Sequence, residues 1–490
     1  MDRENKSVLS LIIFVLGIFI FTGWYVSSPA RAAAFDRYIL YNIDDVFRYC
    51  FAKTAVYDPL VFLNGYAKPL SMLFARLIFF ISPISIFSLR ILNSVMSAAV
   101  IYVLFKLAKK LDFNLRASFL AIVIAVTSPL YFIASVSTLS EIMFSLFLIS
   151  AIYFLHDKKY FLSVLLISAV PLIRQEGIFY LVIWVFLLRR LRAEIKYIPL
   201  LFFPTVIWCA ISRIALGHKF VYPLIYSIIN TRRGKIYQAP LDLTVPANIY
   251  ISLIFIIIIC SPLILGFLDY FFRRNNKKTG FIISACILTQ AVIILFNHLS
   301  VFLTTGYFCA EFRFIVPIIP LLSISAADFL QDIKKFYFYS KYIPVIIFIS
   351  LLFIFSWQMG RLRDISKTYI PLLEKAQDSE IKKSAASLDS YLRKNGLSNI
   401  YVPAWRTTDQ SVRRLWMYLP GDIKYYYFIN EKMFFDMVTN RQQINHLPRG
   451  VLVLSDRGEK DLGGKPVTDL FKNKNIMNYD NANLFFYLLD

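Results

Sequence analysis

Long apolar runs separated by short charged clusters fill the chain from its start to about residue 358. A helix needs roughly 17–25 apolar residues to cross about 30 Å of hydrocarbon. Eleven runs meet or approach that length, at about 8–27, 87–107, 117–134, 139–155, 160–173, 177–190, 197–215, 248–271, 280–297, 313–331 and 342–358. A further apolar stretch, Pro69 to Ser82, holds only about 14 residues, and its length predicts an interfacial or re-entrant helix. The first run is followed by Trp24 and Tyr25 rather than by small residues of a cleavage site, so it reads as a retained helix.

The basic clusters orient these spans. With the N-terminus cytoplasmic and the 69–82 segment not crossing, Lys106, Lys109 and Lys110, then Lys158 and Lys159, then Arg189, Arg190, Arg192 and Lys196 all fall inside. Arg273, Arg274, Lys277 and Lys278 follow, as do Lys334, Lys335 and Lys341. If the short segment crossed, every later cluster would lie outside, so eleven spans are expected. The C-terminal part is then extracytoplasmic. From about residue 364 the pattern changes to mixed charge: 373–395 reads as an amphipathic helix ended by Asn395-Gly396, and IYVPA, VLVLSD and NLFFYLL read as strands. The expected architecture is an α-helical polytopic membrane module over 1–363, with a first outer loop at 28–86, and a small extracytoplasmic α/β domain over 364–490.

Composition agrees. The 490 residues are 58% apolar and 17% charged, against roughly 45–50% and about 25% in soluble domains. The net charge of +22 would suit nucleic acid if it formed a stripe on a folded surface. It is instead spread over the turns between spans, so no nucleic-acid partner is expected and membrane lipids are. No P-loop or G-x-G-x-x-G is present, and the four His residues have no metal-ligand spacing. Cys50 and Cys309 fall on the same expected side, as a pair or as two free thiols. The single N-x-S/T sequon, Asn5-Lys6-Ser7, is expected inside, which fits a prokaryotic inner membrane.

Ionisable residues at span ends are costly unless they face a cavity. Asp44 and Asp45, Glu141, Arg174 and Glu176, and Glu311 with Arg313 all fall on the outer side, delivered there by distant segments. Each also has a structural reading. The two aspartates suit the N-cap of a helix starting at Val46, and Glu141 follows Thr138 at capping-box spacing. Arg174 with Glu176 suits an interfacial ion pair, Arg313 a snorkelling anchor and Lys68 nonspecific lipid contact.

The first outer loop is the most specific stretch. Its YNIDDVFRYC, followed by NGYAKPLSMLF, resembles the first loop of the GT-C superfamily of polyprenyl-phosphate-sugar glycosyltransferases, near the lipid A aminoarabinose transferases and protein O-mannosyltransferases. SLRILNSVMSAAVIYVLFKLAKKL, TLSEIMFSLFLISAIYFL, LIRQEG and EFRFIVPIIPLL resemble later segments of the same superfamily, so the likeness covers most of residues 1–360. It implies single-displacement transfer of a sugar from a polyprenyl phosphate, dolichyl or undecaprenyl, to a glycan, lipid or protein acceptor at the extracytoplasmic face. A carboxylate must deprotonate the acceptor while cations hold the departing phosphate.

On that resemblance Asp44 takes the base role, and Asp45 orients the loop or acceptor. Lys68 matches the donor-phosphate lysine, with a single Pro69 where two are common and Ala67 where an acid is often found. That missing acid leaves a divalent metal open. Arg174 and Arg313 are further phosphate candidates, because guanidinium forks suit phosphate oxygens. So are Arg232 and Arg233, in a loop that is basic on the outside. Glu141 and Glu176 are candidates for acceptor or sugar contact. The competing class is a transporter or flippase of a lipid substrate, which should show mid-plane charges or internal repeats; no repeat is found. A non-catalytic scaffold gives no reason for acids and cations to converge.

Overall fold

The computed structural model describes residues 3–27, 44–56, 62–63, 68–216, 267–268, 270–272, 278–305, 312–333, 379–403, 415, 418–420, 422–428, 449–454, 475–479 and 484–489. Helices follow the apolar runs: α1 (Arg3–Tyr25), α2 (Asp44–Thr54), α3 (Pro69–Ile81), α4 (Ile86–Lys110), α5 (Leu115–Thr127), α6 (Pro129–Ser135) and α7 (Glu141–His156). Then come α8 (Tyr160–Ser168), α9 (Val170–Ile173), α10 (Gly177–Arg190), α11 (Tyr197–Leu216) and α12 (Lys278–Thr305). A 3-10 segment (Phe312–Ile318) leads into α13 (Ile319–Ile333), and α14 (Ser379–Lys394) precedes the strands. Among the described residues, three helices are long and apolar enough to cross a membrane, over Lys6–Tyr25, Ile86–Lys110 and Tyr197–Ile214. The expected span at 342–358 and most of 248–271 lie outside the described residues.

Three expected spans are interrupted, and proline explains each break. Proline lacks the N–H that closes a helical turn, and it pushes the preceding residue out of helical geometry. In the run 117–134, Ser128 is extended at φ −60, ψ 121, ending α5 and starting α6 at Pro129. In 160–173, α8 stops and the four-residue α9 restarts around Pro171. In 313–331, Pro317 lies in the 3-10 turn and Pro320 in the first turn of α13.

Helix α3 is about 20 Å long at 1.5 Å per residue, too short to span. Met72, Ala75 and Phe79 are buried, while Leu73, Leu77, Phe80 and Ile81 are exposed, which leaves an apolar face of the kind a membrane interface covers. Helices α4, α7 and α10 run into left-handed residues that are not glycine, namely Asp112, Lys158 and Arg192. Their ends close by bonds from Phe113 N to Ala108 O at 3.1 Å, Lys159 N to Phe154 O at 2.9 Å and Ala193 N to Leu188 O at 2.9 Å. Lys109 and Lys110 in α4 and Arg189 and Arg190 in α10 place cations in the last turn, where the helix dipole favours them.

The chain divides into two compact units. The first comprises 1–21, 68–71 and 91–359; the second comprises 22–67, 72–90 and 360–490. The second holds a five-stranded sheet of β1 (Asn399–Pro403), β2 (Lys424–Phe428), β3 (Gly450–Leu454), β4 (Asn475–Tyr479) and β5 (Leu484–Leu489), in the order β2-β1-β3-β5-β4. Strand β1 runs parallel to β2 and β3, and β5 runs antiparallel to β3 and β4. Helix α14 offers Ile381, Ala385, Leu388 and Leu392, spaced for one face, to Ile400, Val451, Val453 and Phe486. It ends at Gly396, φ +63, with Leu397 N bonded to Leu392 O at 2.8 Å, so the Asn395-Gly396 stop falls where the sequence puts it.

In the first unit, α10 starts so close to α9 that a Cβ on Gly177 would sit 2.6 Å from Pro171 N and Val170 C. Both neighbours are backbone and cannot swing aside. Gly177→Ala should therefore cost about 1–3 kcal/mol, seen as a lower denaturation temperature and less monodisperse protein in detergent. An unchanged melt would show that the two backbones can part freely.

Candidate functional site

Three buried ionisable residues of the first unit, Glu141, Arg174 and Glu176, gather where helices are interrupted. Arg174 caps the C-terminal end of α9 in extended geometry, φ −150, ψ 134, which aims its side chain away from the helix it ends. Its Nη1 donates to Glu141 Oε1 and its Nε to Glu176 Oε1. The guanidinium carbon also lies 4.9 Å from the centroid of the Phe314 ring. One side chain thus joins α7, the turn before α10 and the 3-10 segment. Arg174 is 3%, Glu141 0% and Glu176 5% exposed, so this is a buried charge cluster. The ion pair expected between Arg174 and Glu176 is present, but in the interior.

The expected capping box at Thr138–Glu141 is not formed. Ser140 occupies the N-cap of α7 in helical geometry, φ −80, ψ −2, and its side chain makes no capping bond. Arg174 draws the Glu141 carboxylate away from the helix end, because a buried carboxylate gains more from a guanidinium than from a backbone N–H. Ser140 Oγ instead accepts from Lys68 Nζ at 3.4 Å. Lys68 stands directly before Pro69 at φ 55, a left-handed conformation that costs a non-glycine residue about 1 kcal/mol.

Polar side chains inside apolar helices support these breaks. Asn93 of α4 donates from Nδ2 to Ser137 O at 2.8 Å and Leu139 O at 2.7 Å, holding the turn that delivers Ser140 and Glu141. Gln290 of α12 donates to Phe314 O at 2.6 Å and accepts from Tyr180 OH at 2.8 Å, holding the 3-10 segment. Sequence reasoning missed Asn93, Tyr180, Gln290 and Ser140 as site residues. A signal was available for the amides, since an Asn or Gln inside a span must find a partner.

The structure brings together Glu141, Arg174 and Glu176, and sets Lys68 on Ser140, the residue before Glu141. Asp44 and Asp45 form the first turn of α2, which begins two residues earlier than Val46 and so puts both acids at the favourable end of the helix dipole. Arg313 lies in the 3-10 segment. The side chains of Asp44, Asp45, Cys50 and Arg313, and the whole of Arg232, Arg233, Glu311 and Cys309, lie outside the described residues. Among the described residues no three His, Cys, Asp or Glu gather as metal ligands.

No family model and no curated protein sequence matches the chain. Solved structures do match it. ArnT from Cupriavidus metallidurans in the apo state is 10% identical at a TM-score of 0.55, over 99% of this chain and 98% of that one. The same protein bound to undecaprenyl phosphate is 10% identical at a TM-score of 0.58, over 98% of each chain. At that identity the likeness is one of fold, and it extends over nearly the full length of both chains. The chain is an α-helical polytopic membrane protein that shares the fold of ArnT.

Proposed function

We propose that the chain is an integral-membrane inverting glycosyltransferase that moves a sugar from a polyprenyl phosphate to a glycan, lipid or protein acceptor at the extracytoplasmic face, with its N-terminus cytoplasmic. The observation that carries this reading is the meeting of Lys68–Ser140 with the Glu141–Arg174–Glu176 cluster inside a GT-C-type fold. The solved ArnT bound to undecaprenyl phosphate supports a lipid-phosphate donor. The alternation of basic clusters supports this sidedness, and the expected inside position of the single Asn5-Lys6-Ser7 sequon fits a prokaryotic inner membrane.

In this mechanism Asp44 takes the proton of the acceptor hydroxyl as its oxygen attacks the anomeric carbon. The bond from that carbon to the phosphate oxygen breaks with inversion, and the polyprenyl phosphate leaves as an anion. Asp45 orients the acceptor or its loop. Lys68 and Arg313, with Arg232 and Arg233, stabilise the departing phosphate. A divalent metal remains compatible with these roles. Arg174 takes a different part from the phosphate contact its type suggests. With Nη1 and Nε held by carboxylates, it positions α7, and with it Ser140, and the 3-10 segment that carries Arg313. Glu141 and Glu176 are its counter-charges rather than sugar ligands.

The direct experiment is sugar transfer from labelled polyprenyl phosphate sugars by the purified protein in nanodiscs, with envelope extract as acceptor. Asp44→Asn should abolish turnover and leave donor binding intact; near-normal turnover would remove Asp44 from the base role. For Lys68→Ala, the donor KM should rise at least about tenfold, and unchanged kinetics across donor concentrations would count against a phosphate contact. Arg174→Met should destabilise the protein by about 3–5 kcal/mol by taking their guanidinium from two buried carboxylates. Adding Glu141→Gln and Glu176→Gln should recover stability and donor affinity together. A triple variant that refolds yet binds donor poorly would return Arg174 to the phosphate. Lipid translocation in vesicles without transfer from any donor would favour a flippase.

A further inference from the structure

Helix α2 opens with Asp44 and Asp45 and belongs to the same compact unit as the C-terminal sheet. Tyr49, Phe51 and Ala52 of α2, with Ala55 just beyond its end, are buried in one apolar core with Leu415, Leu419, Ile423, Val451 and Phe486. At the far end of the helix Lys53, only 2% exposed, donates from Nζ to the carbonyl oxygen of Pro420 at 3.2 Å, across 367 positions of sequence. Pro420 stands shortly before β2.

Apolar burial holds a helix against a sheet, but it is non-directional and leaves rotation and axial slip weakly fixed. A hydrogen bond from a buried ammonium to one carbonyl is directional. It is also an expensive way to hold a helix, because an ammonium taken from water must recover several kcal/mol from its partners. A methionine of similar length would pack as well without that cost. What the lysine adds is orientation.

We propose that the C-terminal sheet is the platform on which the acid-bearing helix is mounted, and that Lys53 is a positioning residue fixing that helix and, through it, the carboxylate at its start. This rests on the reading of Asp44 as the base, and it gives the C-terminal domain a positioning role. Lys53 and Asp44 lie nine residues apart on one helix, about 14 Å along its axis. A small rotation at one end therefore displaces the other. A misplacement of 1 Å at a reacting group costs on the order of a hundredfold in rate.

Two measurements on the full chain in nanodiscs test this. In the first, Lys53→Met should lower kcat about 10- to 100-fold with donor and acceptor KM unchanged and the denaturation temperature not lowered, and Lys53→Arg should recover part of the rate. A folded Lys53→Met enzyme with wild-type kcat, or one whose loss lies wholly in acceptor KM, would overturn the proposal; the latter would assign the domain to acceptor binding. In the second, hydrogen exchange is followed in Phe486→Ala, which opens a cavity in the sheet core. Amides of 44–54 should exchange faster together with those of 450–454 and 484–489, while 141–156 keep wild-type protection. A loosened sheet beside a fully protected α2 would refute the platform, even where Lys53→Met fails to fold. The exchange result needs no turnover. Faster exchange in α2 alongside unimpaired transfer by Asp44→Asn would therefore sink the base assignment and leave the platform standing.

Discussion

A guanidinium buried between two carboxylates sets the terms for the interior of the first unit. Arg174, Glu141 and Glu176 are each almost fully removed from solvent, so none can be left without its partners. Satisfying them requires three stretches of chain to arrive at one point: the start of α7, the turn after α9 and the 3-10 segment under Phe314. Apolar packing alone would let these helices slide in register against one another. The charge cluster does not, because the fork of Arg174 meets its two acceptors in one geometry.

Those arrivals are possible because the helices break. Non-helical backbone at membrane depth is tolerated only where protein groups take over its hydrogen bonds. Asn93 does so for the turn after α6, and Gln290 with Tyr180 does so for the 3-10 segment. Gln290 thus supports the break at Pro317, and Asn93 the turn between α6 and α7. Such a scheme constrains few positions: a handful of prolines, two amides, one close-packed glycine and the charge cluster. The remaining apolar positions need only be apolar and of suitable volume. That is a physical reason why a fold can be shared along nearly its whole length with ArnT at 10% identity.

The same contrast explains what the sequence disclosed. The helix end at Asn395-Gly396 was legible because a local residue enforces it, and so was the shortness of α3; the breaks at Pro129 and Pro171 were not, since the apolar runs 117–134 and 160–173 read as unbroken spans. The strands β1, β3 and β5 were legible as short apolar runs. The convergence of Lys68, Glu141, Arg174 and Glu176 was partly legible, because the positive-inside pattern put them on one side. Which partner each would choose was not. Glu141 sits at capping-box spacing from Thr138, and only the arrival of Arg174 from 33 positions away decides against the cap. Gly177 carries no sign in the sequence that Pro171 will approach it. Nothing local in α2 announces that its buried face and Lys53 belong to a sheet formed more than 340 residues later.

The pairing choices also bear on how a cation can serve an anionic ligand. Glu141 directly follows Ser140, the residue that Lys68 meets. A carboxylate in that place would form a charge-assisted bond with the ammonium, roughly twice as strong as one to a neutral group, and a phosphate would have to compete with it. Arg174 takes that carboxylate, and Ser140 presents a hydroxyl to Lys68 instead. A hydroxyl is a partner that a phosphate oxygen can displace, or share, at small cost, since the hydroxyl can turn and donate to the same oxygen. On this view the buried cluster does more than hold three segments together. By keeping its own acids occupied, it leaves Ser140 to present a hydroxyl, and not a carboxylate, to Lys68.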